Sequence, residues 1–471
     1  MTRRLLSLFS PLAPQRFVYM LQQVEYNPSK FVSWLLKLPD LSRVRRRQRL
    51  KLTHKVQVLL LVAYGVWLLV VVVAVWLALG YRWFEAGILI VLLPWAVTLV
   101  LILLVGIGNK LLYIVRRPLL KQARRQLQNH PAVKIAVLGS YGKTTMKELL
   151  LTVLSEVKNV KATPGNMNVP ISHARWVTKR VGTDEDVLIF EYGEGEPGDI
   201  SRFAKLTRPD YGVITGLAPN HLDHYPSLEA VADDLLSIRH TVADEKLLLN
   251  SDAAGLHQQA PGIPAYGESG VGKWKVEKIT VNYEGTGFVM KRGDTTLKLR
   301  SQLLGRHQTG PLAAAAALAS ELGLTAGQIE AGIAKTKPFE HRMEARQLHG
   351  AWLVDDTYNG NLEGIRAGLR LLGDLEAKRK IYVTPGLVDQ GAETDRVHRE
   401  IGRLIAAAAP DKVVLMQNSV TPAIQSGMET GGYKGELVIE DDPLNFYTNL
   451  EHTVAAGDLL VMQNDWTDNY T

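Results

Sequence analysis

The sequence predicts an α/β protein in which a two-span transmembrane helical hairpin precedes two domains built on parallel sheets. Three observations lead to this prediction. Two long segments near the N-terminus carry no charged residue, and the basic excess of the 471-residue chain lies around them. Downstream, short β-branched segments alternate with helical patterns. That alternation is typical of parallel strands joined by crossover helices.

The two apolar segments are long enough to cross a bilayer. Residues 56–81 and 86–108 are free of charge, and a spanning helix needs about 20 apolar residues. Residues 82–85 separate them, so we expect a tight hairpin. A buried helical hairpin of a soluble protein is the alternative. A cleavable signal peptide is disfavoured, because more than fifty residues precede the first segment.

The charge distribution supports a membrane hairpin rather than a nucleic-acid-binding domain. Residues 1–125 contain 19 Lys and Arg but 3 Asp and Glu, a net charge of +16. From chain totals of 54 and 47, this leaves 35 basic and 44 acidic residues downstream, a net charge of −9. Both outer flanks of the hairpin are basic. The positive-inside rule therefore predicts cytoplasmic termini and cytoplasmic downstream domains, with membrane lipid around the hairpin.

The first 53 residues form a basic region that mixes apolar and charged positions. Phe31 and Trp34, with Lys30 and Lys37, could lie along the membrane surface. They could equally pack on a partner. The chain has no cysteine, which excludes disulfides, thiol nucleophiles and cysteine-ligated zinc.

The downstream part divides into two α/β domains, which we place at residues 126–337 and 338–471, after a hairpin region at 54–125. In the first, the segments KIAVLG, DVLIFEYG, YGVIT and KLLLN read as strands. Residues 273–304 read as antiparallel strands with Gly-rich turns, followed by an Ala-rich helix from about Thr309. In the second domain, strands are expected at WLVDDT, KIYVTPG, DKVVLM, ELVIE and DLLVMQ.

The segment VLGSYGKTTMKELL, residues 137–150, carries the first indication of a ligand. A strand, a Gly turn and a helix N-terminus bring backbone N–H groups and a helix dipole to one point, which suits a phosphate. Lys143 adds a cation, and the Thr144 hydroxyl could reach Mg²⁺. The spacing G-x-x-G-K-T-T is shorter than the usual G-x-x-x-x-G-K-[ST] loop. A chance Gly-Lys-Thr helix start is the alternative.

Seven ordered motifs resemble the Mur ligase family. They are GSYGKTT, GNMNVP, IFEYGEGEPGDI, VITGLAPNHLDHYPSLEAVADD, LLGRHQTGPLAAAAALASELG, FEHRMEA and VDDTYNGN. The chain is most similar to the branch that adds D-alanyl-D-alanine to the muramyl tripeptide. The resemblance covers residues 133–465, so it implies a central P-loop α/β domain and a C-terminal Rossmann-like domain. It does not cover the N-terminal region, where that family has a UDP-sugar domain and this chain has the hairpin.

The resemblance implies ATP and Mg²⁺ as cofactors and assigns site residues. Catalytic roles are implied for Lys143, Glu191, His221 and Arg342. ATP binding is implied for Gly139, Ser140, Tyr141, Gly142, Lys143, Thr144, Thr145, Gln308, Asp356, Tyr358 and Asn359. Substrate contacts are implied for Asn166 and Asn168. For Mg²⁺ the implied ligands are Thr144, Glu191 and His221. Without the resemblance, most of these are ordinary strand-end, turn or helix-cap residues.

Two departures from the family pattern alter these expectations. The family has a carbamylated lysine fourteen residues after the histidine that matches His221, and here that position is Leu235. Leu235 cannot bind a metal, so we expect Asp233 or Asp234 to supply the anion, with Asp234 as the preferred metal ligand. In the adenine-binding pattern, Gln308 and Pro311 stand at two asparagine positions, which changes the available donors.

The resemblance implies ATP-dependent amide formation in peptidoglycan precursor synthesis. A substrate carboxylate would attack the γ-phosphate, and an amine would then displace phosphate from the acyl phosphate. The expected substrate is a muramyl peptide, either free or lipid-linked, and cell-wall synthesis partners could pack on the hairpin. The alternatives are a poly-γ-glutamate-type amide ligase and a non-catalytic ATP-binding membrane scaffold. Nucleic acid is not an expected partner.

Overall fold

A computed structural model describes residues 9–24, 26–37, 50, 52–165, 167, 169–218, 225–251, 255–358, 360–388, 390 and 393–464. The chain divides into two compact units, Met1–Pro118 and Leu119–Thr471. Each unit is described separately.

Long apolar helices dominate the N-terminal unit. Its described helices are α1 (Ala13–Gln23), α2 (Pro28–Lys37), α3 (His54–Leu79) and the first part of α4 (Trp83–Asn129), whose residues from Leu119 onward belong to the larger unit. Both α3 and α4 are long and apolar enough to cross a membrane. Apolar side chains such as Leu61 and Trp76 are exposed by 75% and 68% of their surface. Large exposed apolar surfaces mark sites of contact with a protein partner or a membrane.

The turn between the two long helices is shorter than predicted. We expected residues 82–85 to form the connection, but α4 already begins at Trp83. Glu85 lies in its first turn, and Arg82 Nη2 donates to Glu85 Oε1 at 2.9 Å. An acidic side chain near a helix N-terminus is stabilised by the helix dipole, which explains the early start. Helix α4 also continues beyond the predicted span, which ended at residue 108.

The N-terminal amphipathic segment packs on its own chain. Phe31 is fully buried and belongs to one apolar cluster with Phe17, Val56 and Leu101. Trp34 stacks on Phe31 with ring centroids 5.8 Å apart. Neither a membrane surface nor a separate partner was therefore needed to cover Phe31.

The first part of the larger unit is a ten-stranded sheet with helices on both faces. Its strands are β1 (Val133–Leu138), β2 (Val160–Ala162), β3 (Val187–Glu191), β4 (Tyr211–Ile214), β5 (Leu247–Asn250), β6 (Ala265–Gly267), β7 (Gly270–Val271), β8 (Trp274–Asn282), β9 (Gly285–Arg292) and β10 (Thr295–Ser301). The strand order is β10-β9-β8-β7-β6-β5-β4-β1-β3-β2. Strands β1 to β6 pair in parallel, whereas β7 to β10 are antiparallel, as predicted for residues 273–304.

Alternate side chains of β1 face two separate apolar layers. Ile135 and Val137 belong to the cluster on one face, and Ala136 and Leu138 to the cluster on the other. The helices of this part are α5 (Lys143–Leu154), α6 (Pro170–Arg180), α7 (Asp199–Thr207), α8 (Leu228–Leu236), α9 (Leu256–Gln259), α10 (Thr309–Glu321) and α11 (Ala326–Ala334). Burial on both faces explains the nearly continuous apolar sequence of the central strands.

The second part is a six-stranded sheet of order β11-β12-β16-β13-β14-β15. Its strands are β11 (Glu344–Leu348), β12 (Ala351–Asp356), β13 (Arg379–Thr384), β14 (Lys412–Met416), β15 (Glu436–Glu440) and β16 (Asp458–Gln463). The helices are α12 (Leu362–Asp374), α13 (Thr394–Ala408), α14 (Thr421–Thr430) and α15 (Pro443–Thr448). All strands except β11 pair in parallel. The predicted domain boundary near residue 337 lies between the two sheets and stays a prediction.

Candidate functional site

The loop between β1 and α5 is shaped by two glycines. Gly139 has a φ of 139°, and a Cβ there would lie 2.5 Å from Thr215 Oγ1. Gly142 has a φ of 75° and directly precedes α5. Both conformations favour glycine. The loop thereby places the N-terminus of α5 at the carboxyl edge of the sheet. The first N–H groups of a helix have no carbonyl partner within the helix, so they can bind an anion.

Lys143 is the first residue of α5. Its ammonium group contacts two hydrogen-bond acceptors. Its Nζ contacts the carbonyl oxygen of Gly139 and lies 2.7 Å from Glu194 Oε2. The Glu194 side chain is 3% exposed. The cation is therefore held over the loop by a buried carboxylate.

Thr144 and Glu191 meet as the resemblance implies. Thr144 Oγ1 donates to Glu191 Oε1 at 2.9 Å, and the Glu191 N–H donates to Thr163 Oγ1 at 3.0 Å. Glu191 ends β3, next to β1 in the sheet. A hydroxyl and a carboxylate are hard oxygen donors, which suit Mg²⁺. The other carboxylate oxygen, Oε2, is buried and lies 3.1 Å from the Lys147 ammonium without an aligned hydrogen bond. This donor set fits a magnesium ion.

A buried lysine forms an ion pair with Glu191. Lys147 is fully buried, and its Nζ lies 3.1 Å from Glu191 Oε2 and 3.2 Å from Glu148 Oε1. Lys147 follows Lys143 by one helical turn, so both cations belong to the same face of α5. A buried charge without a partner is costly, and this pair therefore restricts the carboxylate of Glu191 to one position.

A cavity of about 270 Å³ adjoins the phosphate loop. It brings together seven residues that the resemblance assigned to ATP or catalysis, namely Tyr141, Gly142, Thr145, Gln308, Arg342, Asp356 and Tyr358. Met146, Tyr266 and Pro311 add apolar surface, and Asn250 adds an amide. An apolar and aromatic lining with a few polar groups suits a flat heteroaromatic ring.

His307 lines the same cavity and is kept neutral. Burial lowers its pKa to about 4. Its Nε2 lies 2.9 Å from Gln308 Nε2, and Gln308 stands where the family has asparagine. The imidazole can accept from the Gln308 amide, which leaves the amide oxygen of Gln308 available to a ligand.

Asp356 ends β12 at the edge of the cavity. Its Oδ2 accepts from Gln463 Nε2 at 2.7 Å, and its Oδ1 accepts from the Met343 N–H at 3.2 Å. Burial raises the pKa of Asp356 to about 7, against the hydrogen bonds from Gln463 and Met343 and the charge of Arg342. Gln463 is itself fixed, because Tyr382 donates to its Oε1 at 3.0 Å.

Arg342 is held over an aromatic ring by a strained segment. Its guanidinium lies 4.4 Å from the centroid of Tyr358. The neighbouring residues His341 and Met343 both have positive φ, 59° and 49°. Non-glycine residues rarely adopt this conformation outside sites where the surroundings impose it. His341 Nδ1 is 2.9 Å from Asp355 Oδ2, which raises the pKa of the imidazole and anchors the segment.

Four predicted site residues lie outside the described part of the chain. They are Asn166, Asn168, His221 and Asn359. The described residues contain no cluster of three or more His, Asp or Glu side chains that could hold a metal ion. The roles of these four residues stay predictions.

Asp234 is buried, and both of its carboxylate oxygens accept hydrogen bonds from the protein. Its Oδ1 accepts from the Gly198 N–H and its Oδ2 from the Tyr225 hydroxyl, each at 2.9 Å. Burial raises its pKa. Asp233, the other candidate, is exposed. These contacts give Asp234 a role in holding the Gly198 loop and Tyr225, while its role as a metal ligand stays a prediction.

The position of the missing lysine is part of the core. Leu235 is fully buried in the apolar cluster that also contains Ile214 and Leu249. A leucine there stabilises the packing of α8 on the sheet, which explains what this residue does in place of the family's lysine.

Three polar residues of the site were missed by sequence reasoning. Glu194 is the acidic residue three positions after Glu191, Lys147 is one helical turn after Lys143, and Gln463 ends a strand of the second sheet. The position of Gln463 at a strand end was the available signal, because ligands of parallel sheets bind at that edge. Nothing local distinguished Glu194 from its neighbour Glu196.

Comparison with known proteins supports the resemblance. A sequence model of the Mur ligase middle domain matches residues 137–319. The UDP-N-acetylmuramoyl-tripeptide–D-alanyl-D-alanine ligase of Synechocystis sp. is 30% identical over 342 residues, 70% of this chain and 71% of that protein. The ligase of the same name from Escherichia coli is 29% identical, over 61% of this chain and 65% of its own length. This chain thus spans slightly less than two thirds of the Escherichia coli relative.

Solved structures share the fold. The MurF ligase from Thermotoga maritima in complex with ADP has a TM-score of 0.64 and 23% identity, covering 74% of this chain and 80% of its own. MurF from Acinetobacter baumannii also has a TM-score of 0.64, with 21% identity over 75% and 78% of the two chains. The predicted α/β architecture and the family resemblance are confirmed.

The raised pKa of Asp356 predicts a pH-dependent stability. An aspartate that binds a proton more tightly in the folded than in the unfolded chain stabilises the fold at low pH, and this contribution falls as pH rises from about 4 to about 7. The slope is at most about 1.4 kcal/mol per pH unit. Asp356→Asn cannot titrate, so its thermal midpoint should fall less than that of the wild type between pH 5 and 8.

The matched control is Asp395→Asn, because Asp395 is an exposed residue paired with Arg399. Its thermal midpoint should follow the wild-type pH dependence. Equal pH dependence in wild type and Asp356→Asn would contradict the raised pKa.

Proposed function

The chain belongs to the Mur ligase family, and on that premise we propose that it is an ATP-dependent carboxylate–amine ligase of peptidoglycan precursor synthesis that its apolar helices tether to a membrane. One observation carries the catalytic part of the proposal. The phosphate loop and the adjoining cavity bring together seven residues that the resemblance assigned from motifs far apart in the chain. A scattered set of chance motif matches would not converge in this way.

The nucleotide is proposed to bind with its base in the cavity and its phosphates at the loop. The base would lie against Met146, Tyr266 and the amide of Gln308. Asp356 would accept a hydrogen bond from a ribose hydroxyl, because its carboxylate lies at the edge of the same cavity. The N–H groups of α5 and the cation of Lys143 would then receive the phosphates.

Two oxygen donors would hold Mg²⁺ beside the phosphates. Thr144 Oγ1 and Glu191 Oε1 already lie in contact, and Lys147 fixes the remaining carboxylate oxygen. A bound Mg²⁺ supplies neutralising charge to the phosphoryl group under attack. Lys143 supplies a second positive charge from the protein itself, so that a carboxylate nucleophile can approach an anionic phosphate.

The second sheet contributes groups that close the site. Arg342, stacked on Tyr358, is positioned to add charge at the cavity. The amine acceptor is proposed to be D-alanyl-D-alanine and the carboxylate substrate a muramyl tripeptide, as in the names of the relatives. A lipid-linked muramyl peptide is the form of substrate that a membrane tether would favour.

Membrane attachment is proposed from helices α3 and α4. Their length, their exposed apolar side chains and the basic residues on their outer flanks support two crossings with both flanks in the cytoplasm. The acidic downstream part would then meet ATP in the cytoplasm.

The catalytic proposal predicts phosphate release that needs every substrate. Full-length protein in lipid nanodiscs, with ATP, Mg²⁺ and D-alanyl-D-alanine, should release phosphate when a muramyl tripeptide is added in UDP-linked or lipid-linked form. Lys143→Met should lower kcat/KM by about 10² to 10³-fold, because one charge that stabilises the reacting phosphate is lost. Lys179→Met, on the exposed end of α6, is the control and should be unchanged.

Other results would redirect the proposal. Release with glutamate acceptors alone would support the poly-γ-glutamate-type ligase. Nucleotide binding without phosphate release from any combination would support the scaffold and contradict the ligase.

The topology prediction uses the absence of cysteine from the chain. A single cysteine introduced as Arg82→Cys, in the turn between α3 and α4, should react with a membrane-impermeant maleimide in intact spheroplasts. Lys179→Cys should react only after the membrane is permeabilised. Protection of both sites until permeabilisation would contradict two crossings.

A further inference from the structure

Glu194 is a buried carboxylate that pairs with Lys143 within the described part of the chain. Its Oε2 lies 2.7 Å from Lys143 Nζ, and the two side chains are 3% and 17% exposed. Lys143 also contacts the carbonyl oxygen of Gly139, so its ammonium lies between two acceptors. Because solvent hardly reaches the carboxylate, its pairing with Lys143 matters for the stability of its charge.

Two further carboxylates, Asp199 and Asp234, lie near Glu194, and Asp199 is paired with Arg202. Burial raises the pKa of the Tyr225 hydroxyl, and its hydrogen bond to Asp234 and the charges of Asp234, Asp199 and Glu194 raise it further. Asp199 caps the loop before α7 by accepting from the N–H groups of Gly195 and Glu196. An anion that took Lys143 away from Glu194 would therefore leave a buried carboxylate among other negative charges.

A phosphate binding at the loop would do this. The N-terminus of α5 and Lys143 form the cationic part of the loop, and a phosphate there must share Lys143 with Glu194. Two anions that share one cation in a poorly hydrated site repel each other. A further positive charge would neutralise the surplus negative charge. Thr144 and Glu191 provide oxygen donors for a divalent cation beside Lys143.

We propose that Glu194 is a positioning residue that makes nucleotide binding depend on Mg²⁺. It holds Lys143 over the loop, and its charge disfavours a phosphate that arrives without a divalent cation. The Mg²⁺-nucleotide complex carries less negative charge and is accepted. This inference rests on the proposed function, because it assumes that the loop binds a nucleotide phosphate.

The test compares ADP binding to the full-length protein in nanodiscs by calorimetry, with Mg²⁺ and with EDTA. The ratio of the two dissociation constants measures the coupling to Mg²⁺. Glu194→Gln keeps the shape and removes the charge, so its ratio should be about tenfold smaller than that of the wild type. The change should come mainly from tighter binding in EDTA.

Two further variants separate charge from structure. Glu196→Gln changes an exposed neighbour and should keep the wild-type ratio. Glu194→Asp keeps the charge and should keep the ratio within about threefold of the wild type. If Glu194→Gln fails to fold, Glu194→Asp still tests the proposal. A ratio of dissociation constants about tenfold smaller than that of the wild type in Glu194→Asp, which keeps the charge, would overturn it.

The outcomes are distinguishable. Equal tightening of ADP binding by Glu194→Gln in Mg²⁺ and in EDTA would mean that Glu194 competes for Lys143 without coupling to Mg²⁺, which overturns the inference. An unchanged ratio overturns it as well. If the wild type binds no ADP in either condition, the proposed function fails first, and with it the premise of the inference.

Discussion

The site depends on positive charge at the N-terminus of α5 that two carboxylates balance. The helix dipole, Lys143 and, one turn later, Lys147 all place positive charge near the same point. Such an arrangement is stable in a folded chain only if anions face it. Glu191 and Glu194 meet that requirement from β3 and the loop after it, each paired with one lysine. A triphosphate would use the helix N-terminus and Lys143, and its metal ion would use the carboxylate of Glu191.

The order of strands explains why these groups meet. Strand β1 lies between β3 and β4, so the loop after β1 is flanked by Glu191 on one side and Thr215 on the other. The second sheet adds the other wall of the cavity, where Gln463 and Tyr382 fix Asp356. Residues far apart in sequence thus form one site because parallel strands present their carboxyl ends at one edge.

Local patterns were sufficient to predict much of this architecture. The β-branched segments, the Gly turn before Lys143 and the antiparallel region all reflect short-range rules of backbone and burial, and the structure has strands and a helix there. The turn before α4 was predicted too long, because the prediction took the charged Glu85 as part of the turn. Glu85 instead stabilises the first turn of α4. Glu194 and Lys147 could not be identified, because their roles arise from contacts 51 and 44 residues away in the chain. Whether Asp234 turns inward is likewise decided by Tyr225 and Gly198, not by its neighbours in sequence.

The most direct test is an experimental structure of the full-length protein with ADP and Mg²⁺. The account predicts that Lys143 Nζ contacts a phosphate oxygen, that Mg²⁺ lies between Thr144 and Glu191, and that the base occupies the cavity next to Gln308. A nucleotide bound elsewhere, with Lys143 still held by Glu194 and Gly139, would contradict the account.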